Sequence, residues 1–198
     1  MVVDRRELAS SLGSFYDFKG KNVLYVGAGG GQLLDPSWGP SKVVAIDSNA
    51  KALDVFRNEA KSKWSGIQVE FVPKPFDQVN EKGEVVYFEF CLHEMAEPAK
   101  ALEHAHSMAK DIVVMDHLPG SEWIFYGAEE AEVSRSTNAI EKFGTKLRES
   151  KIILQRFEDY QQLTARLSEV GPESLKRAAR FKDTKEIIIK MDYGLFLL

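Results

Sequence analysis

Five short, nearly continuous apolar runs alternate with longer stretches of helical periodicity. The runs are Lys21 to Val26, Lys42 to Ile46, Ile67 to Val72, Glu84 to Phe90 and Asp111 to Met115. Each is rich in Val, Ile, Phe or Tyr. A strand apolar on both sides must be buried on both faces, which is the condition of a parallel sheet covered by helices. Between the runs, Leu53, Phe56, Ala60 and Trp64 recur at steps of three to four after Ser48 and Asn49, either of which can cap a helix. Pro98 can open another helix, with Ala99, Leu102, Ala105 and Met108 facing inward, and Leu8, Leu12 and Phe15 mark one ahead of the first strand. The alternation predicts a doubly wound α/β sheet.

The end of the chain departs from that rhythm. Ser121 to Phe143 reads as one long helix stopped by Gly144, and Phe157 to Val170 and Pro172 to Phe181 as two more. Glu186 to Met191 and Tyr193 to Leu198 then read as two strands joined at Asp192. An antiparallel hairpin and a bulge both fit Asp192-Tyr193-Gly194. The expected sheet is therefore seven-stranded, mostly parallel, and closed by an antiparallel hairpin.

Composition sets the outer limits. The 198 residues, 44% hydrophobic and 28% charged, suit a single globular domain spanning 1–198. With 26 Lys and Arg against 30 Asp and Glu, a net charge of −4 gives no electrostatic reason for a nucleic-acid or anionic-membrane partner. The basic run Lys176, Arg177, Arg180 and Lys182 has acidic neighbours and reads as a solvated helix face. No apolar stretch is long enough to span a bilayer, and Met1 to Glu7 turns charged at once, unlike a secretory signal. Cys91, the single cysteine, cannot form an internal disulfide. A soluble, reduced, cytoplasmic protein is expected.

The strongest chemical signal is a strand running straight into Gly27-Ala28-Gly29-Gly30-Gly31. Glycines there allow positive φ and a close approach of backbone to ligand. The dinucleotide fingerprint fails, because its sixth position is Gln32, and no Lys-Ser or Lys-Thr follows to make a P-loop. Gly27, Gly29 and Gly31 fit a one-three-five spacing instead. Asp47 stands at the end of the next strand, where a carboxylate can accept both hydroxyls of an adenosine ribose. Turn and acid together point to a nucleoside-bearing cofactor.

On these residues the sequence resembles the class I S-adenosylmethionine-dependent methyltransferases, with their Rossmann-like sheet, and most of all the small single-domain enzymes acting on small molecules. Those carry a Leu-His-Glu segment after the fourth strand, present here as Leu92-His93-Glu94. The resemblance implies S-adenosylmethionine as cofactor, with Gly27, Ala28, Gly29 and Gly31 along its methionine and ribose. Asp47 would hold the ribose hydroxyls, and Ser48 or Asn49 would approach the adenine. Pro75, Phe76 and Asp77 would flank the adenine ring, and Phe90 would stand beside the sulfonium methyl. Three positions depart from the family pattern. Tyr25 occupies the place of an acidic residue, Pro36, Gly39 and Pro40 shorten the helix after the glycine turn, and 73–77 matches the third motif poorly.

Ligands in such sheets sit at the carboxyl ends of the strands. That places His93 as a candidate general base, beside a reading as a helix-start histidine bonding backbone. Glu94 could orient His93, bind a cationic substrate, or favour a helix N-terminus. His117 ends the fifth strand and would face the same cleft. The resemblance also implies a helical lid over 121–182, with Trp123 and Tyr126 over a small-molecule acceptor and Tyr16 closing the far side. His104 and His106 point about 200° apart on one helix, so nothing meets a metal requirement. Two other readings stand beside the methyltransferase: a catalytically silent adaptor of the same fold, and an NAD-dependent oxidoreductase, disfavoured by Gln32 and the closing hairpin.

Overall fold

In the computed structural model, residues 5–29, 33–168 and 170–198 are described. One seven-stranded sheet runs through the molecule in the order β3-β2-β1-β4-β5-β7-β6. Its parallel part comprises β1 (Asn22–Val26), β2 (Lys42–Ile46), β3 (Gln68–Val72), β4 (Val85–Glu89) and β5 (Asp111–His117). The two antiparallel strands are β6 (Leu147–Asp159) and β7 (Lys185–Leu197).

Alternate side chains of each central strand feed two separate cores. Val23, Tyr25, Val43, Ala45, Val85, Tyr87, Val113 and Met115 point to one face. Leu24, Val26, Val44, Ile46, Val86, Phe88, Ile112 and Val114 point to the other. The first face is covered by α1 (Arg5–Phe15) through Leu8 and Leu12, and by α2 (Ala50–Lys63) through Leu53 and Phe56. The second is covered by α3 (Pro98–Met108) through Leu102 and Ala105, and by α5 (Glu130–Phe143) through Ile140. At about 1.5–3 kcal/mol per fully buried large apolar side chain, this double burial does most to hold β1 and β4 together at the centre. Among the described residues, no helix is long and apolar enough to cross a membrane.

The C-terminal third corrects three sequence expectations. Glu186 to Leu198 is not a hairpin of two strands. It belongs to a single strand, β7, whose ladder continues through Ile152↔Asp192, Lys151↔Tyr193 and Ser150↔Gly194. The hairpin partner is β6, a segment in which the sequence reading saw no strand and whose end it gave to a helix. In β6, Ile153, Gln155 and Phe157 alternate inward with exposed residues between them. That period-two pattern marks a strand with one covered face. Gly194 looked like a turn residue, but it serves close packing: a Cβ there would lie 2.5 Å from the Phe196 ring and 3.0 Å from Leu118.

The expected long helix from Ser121 is broken into α4 (Glu122–Gly127) and α5 by Ala128 in the left-handed region, φ 57°. Two shorter helices, α6 (Tyr160–Leu167) and α7 (Pro172–Ala178), follow β6. The span 121–182 is thus not all helical, because thirteen of its residues, Leu147–Asp159, form part of the sheet.

Gly194→Val tests this reading of the closing strand. The added side chain must displace the buried Phe196 and Leu118. The expected loss is about 1–3 kcal/mol in urea unfolding, with the m-value unchanged.

Candidate functional site

β1 leads to β2 on one side of the sheet, while β4 lies on its other side, so β1 and β4 flank the switch in strand order. The crevice outside their carboxyl ends is where an open α/β sheet binds ligands. Two adjoining cavities open there, of about 530 Å³ and about 320 Å³. Gly27, Asp47, Cys91 and Glu94 line both.

Gly27 sets the border. With φ 68°, it lies so close to the exit of β4 that a Cβ would sit 2.6 Å from Cys91 Cβ and Sγ and 3.2 Å from the Glu89 carbonyl. Only glycine fits that space and that dihedral. Asp47 then ties the turn down: its Oδ2 accepts the Gly29 N–H at 2.8 Å, and its Oδ1 accepts the Asn49 N–H at 2.8 Å. Each carboxylate oxygen keeps a further lone pair for a hydroxyl donor.

The larger cavity gathers Ser48, Pro75, Phe76 and Asp77 as expected, and adds Lys74, Met95, Lys100 and His104, which the sequence reading had not chosen. Phe76 is held as a wall by Phe88 and His104, with ring centroids 5.2 and 5.0 Å away. His104 Nε2 donates to the Val79 carbonyl at 2.8 Å, which fixes its orientation. Two expected cofactor residues do other work. The Ala28 N–H donates to the Ile46 carbonyl at 3.2 Å, and the Asn49 side chain caps α2 by accepting from Lys51 and Ala52. Gly31 lies outside the described residues.

The smaller cavity is lined by Glu89, Phe90, His117, Trp123, Gln155, Arg166 and Met191, with Arg5 and Leu8 from α1. Phe90, expected beside a sulfonium methyl, lines this smaller cavity and not the larger one. It holds φ 45°, an uncommon conformation for a bulky residue, with its N–H donating to the Met115 carbonyl at 2.7 Å and its ring 4.8 Å from that of His117. Gln155, only 3% exposed, bonds the Met191 sulfur, a weak acceptor.

Three expected substrate-side residues lie elsewhere. Tyr16 donates to Asp111 Oδ2 at 2.8 Å, at the amino end of β5 and thus the opposite edge of the sheet. Tyr126 is core, packed against Phe125 and Phe181. His93 lines neither cavity. It is 3% exposed, its Nδ1 is 2.5 Å from Asp116 Oδ1, and its N–H donates to Asp116 Oδ2 at 2.9 Å. Burial alone would depress its pKa, but the bond to Asp116 and that residue's charge outweigh it and hold the pKa above the usual value. The expectation of His93 as general base is corrected on this geometry: the imidazole secures the turn after β4 to the end of β5.

The remaining ionisable groups are sorted by desolvation. Burial pushes His117 down to about 4, against the pull of Asp116, so it is neutral at pH 7. Among the described residues its Nδ1 has no hydrogen-bond partner. Burial also pushes the Cys91 thiol up, which removes it as a nucleophile. Glu94, at the rim between the cavities, is raised by partial desolvation.

Glu89 is the largest surprise. It is 8% exposed, and its Oε2 accepts from the hydroxyls of Tyr25 at 2.5 Å and Tyr87 at 3.1 Å. Desolvation raises its pKa to about 7 even against those bonds and a backbone bond from Leu33. Tyr25 reaches Glu89 from the neighbouring strand β1 by its hydroxyl. A charged residue inside the apolar run Val85 to Phe90 was the signal in the sequence that could have found it. Gln155 and Met191 could not be placed without the β6–β7 pairing.

Comparison with known proteins fits this geometry. Residues 24–112 match the model of the methyltransferase domain family. The match is to that segment alone, and the whole chain has the class I methyltransferase fold. A Bacillus halodurans protein assigned as a methyltransferase is similar over 96% of both chains, at 19% identity and a TM-score of 0.72. Magnesium protoporphyrin IX methyltransferase from Synechocystis, solved with bound SAH, is similar over 97% of this chain and 81% of its own, at 13% identity and a TM-score of 0.59. A Pyrococcus horikoshii protein assigned as an RNA methyltransferase is similar over 97% of this chain and 82% of its own, at 16% identity and a TM-score of 0.59. A comparison with curated proteins gives no match.

In this fold the raised Glu89 pKa has a cost to stability with a defined sign. The folded chain keeps this proton up to about pH 7, against about 4.5 for a free carboxyl. Between those values the folded state binds more protons than the unfolded one. Stability from this group is therefore full below pH 4.5 and falls as pH rises toward 7. Glu89→Gln removes the titration, so its stability relative to wild type should improve by about 2–3 kcal/mol between pH 5 and 8 in denaturant unfolding.

Proposed function

We propose that this methyltransferase domain binds S-adenosylmethionine in the larger cavity and passes its methyl group to a small molecule in the smaller one. The observation that carries the reading is the shared border: Gly27, Cys91, Asp47 and Glu94 face both spaces, so a group held in one can meet a nucleophile held in the other. The donor set fits the cofactor. Asp47 retains lone pairs for the ribose hydroxyls, Phe76 offers a flat wall to the adenine, and Gly27 leaves the room that a side chain would fill.

S-adenosylmethionine supplies an electrophilic methyl on a sulfonium, and transfer forms the nucleophile–carbon bond as the sulfur–carbon bond breaks, its electron pair remaining on sulfur. The chain's own contribution is alignment and exclusion of water. Trp123 of α4, Phe90 and Met191 give the acceptor apolar contact, while Gln155 and His117 offer it hydrogen bonds. On this reading α1, α4 and α6, which give Arg5, Leu8, Trp123 and Arg166 to the lining, serve as the chamber's lid. At about 320 Å³ the chamber matches a small acceptor, and the net charge of −4 offers no attraction to a nucleic acid. A free, buried Cys91 suits a reducing cytoplasmic setting.

Calorimetric titration tests this. S-adenosylmethionine and S-adenosylhomocysteine should bind with micromolar affinity and NAD should not. Asp47→Ala should weaken the sulfur cofactors by about 1–3 kcal/mol, roughly fivefold to 150-fold, because the ribose loses its acceptor and the Gly29 and Asn49 N–H groups lose theirs. A wild type that binds neither sulfur cofactor would point to the silent-adaptor reading.

A further inference from the structure

Alignment and exclusion of water leave Glu89 without a task, yet no other carboxyl among the described residues of the chamber wall is so deeply buried. A carboxyl is costly to bury without reason. Its surroundings are explicit. Tyr25 of β1 and Tyr87 of β4 donate to its Oε2, and Arg5 of α1 is the charge that eases its ionisation. On the same wall stand Asp47 at the end of β2, Cys91 and Glu94 beyond β4, His117 from β5 and Arg166 from α6. Cys91 and His117 are both uncharged at neutral pH. Glu89 is then the buried wall carboxyl whose state is open near pH 7, while Glu94, also raised by desolvation, is an exposed rim residue.

Glu89 also stands next to the border. Its carbonyl is 3.2 Å from where a Gly27 side chain would begin, and Gly27 has none. Resting on the methyltransferase reading, we propose that Glu89 is the proton acceptor of the transfer: it is ionised while the cofactor's sulfonium charge is present and takes the acceptor's proton when that charge is lost. The balance is complete. The acceptor's N–H or O–H proton goes to a Glu89 carboxylate oxygen, its electron pair forms the bond to carbon, and the sulfur–carbon pair stays on sulfur.

The electrostatic logic is one of replacement. A neighbouring cation in a poorly solvated site lowers a carboxyl pKa by about 1–3 units, so binding of the positively charged cofactor should expel the proton that burial retains. Loss of the positive charge restores the affinity for a proton at the moment the acceptor must give one up. The acceptor class follows: an amine or hydroxyl compound whose nucleophile loses a proton on methylation. A thioether or other nucleophile without a proton would gain nothing from this group.

The test needs no acceptor. Calorimetry is run on the whole chain at pH 6, 7 and 8 in buffers of different ionisation enthalpy, with S-adenosylmethionine and, separately, S-adenosylhomocysteine. With Glu89 titrating at about 7, S-adenosylmethionine should release about half a proton at pH 7 and close to one at pH 6. Its affinity should rise about tenfold from pH 6 to 8. The uncharged thioether cofactor should release none through this group. Glu89→Gln should keep binding and lose both effects, while Glu94→Gln keeps them. Tyr25→Phe, which removes one donor to the carboxylate, should move the proton-release midpoint to higher pH and serves if Glu89→Gln is unstable.

S-adenosylmethionine binding without proton release, or release that survives Glu89→Gln or is equal for the two cofactors, overturns the proposal and leaves the methyltransferase reading standing. Binding of neither cofactor removes both.

Discussion

The site depends on one close approach, that of the turn after β1 to the exit of β4. Gly27 and Cys91 are in contact where any larger residue at 27 would collide with sulfur and backbone. That contact exists because β1 and β4 are locked side by side between two cores, with Tyr25 paired to Tyr87 and their rings stacked at 5.2 Å. Close packing on both faces makes the pair stiff. From that stiffness follow the position of Asp47 over the turn, the shared border of the two cavities, and the seat of Glu89 beside them.

Desolvation then decides what each ionisable group can do, and it acts unequally. His93 and Asp116 satisfy one another, so burial converts them into a brace between the ends of β4 and β5. His117, whose ring lies 5.2 Å from that of His93, has no such partner for its Nδ1 and loses its charge. Glu89 is an intermediate case. Two phenol hydroxyls and a backbone bond favour its ionised form, yet not enough to offset the loss of water, and its pKa settles near neutrality at about 7. A carboxyl so balanced responds to any new charge placed beside it.

The larger cavity was largely legible in the sequence. Gly27, Asp47, Ser48 and Phe76 follow strands that announce themselves by apolar composition, and such positions are local: a strand end, the next strand end, a turn. The smaller cavity was not. His93 and Tyr16 were plausible by residue type and neighbourhood in sequence, but a partner 23 residues away in one case and 95 in the other claims each side chain. Gln155 and Met191 become wall residues only because β6 pairs with β7 over 147–159.

Taken alone, the sequence determined the alternation of strand and helix, the parallel character of the central sheet, and the glycine turn with its acid, because each rests on periodicity or on dihedral requirements that act within a few residues. The tertiary structure decided which strand closes the sheet, where the helix after Ser121 breaks, and which acid is buried at the centre. Those outcomes depend on the space left between elements far apart in the chain. Gly194 is a strand residue and not a turn because Phe196 and Leu118 fill the room around it. Glu89 is a buried carboxyl and not a surface one because Tyr25 of a neighbouring strand lies against it.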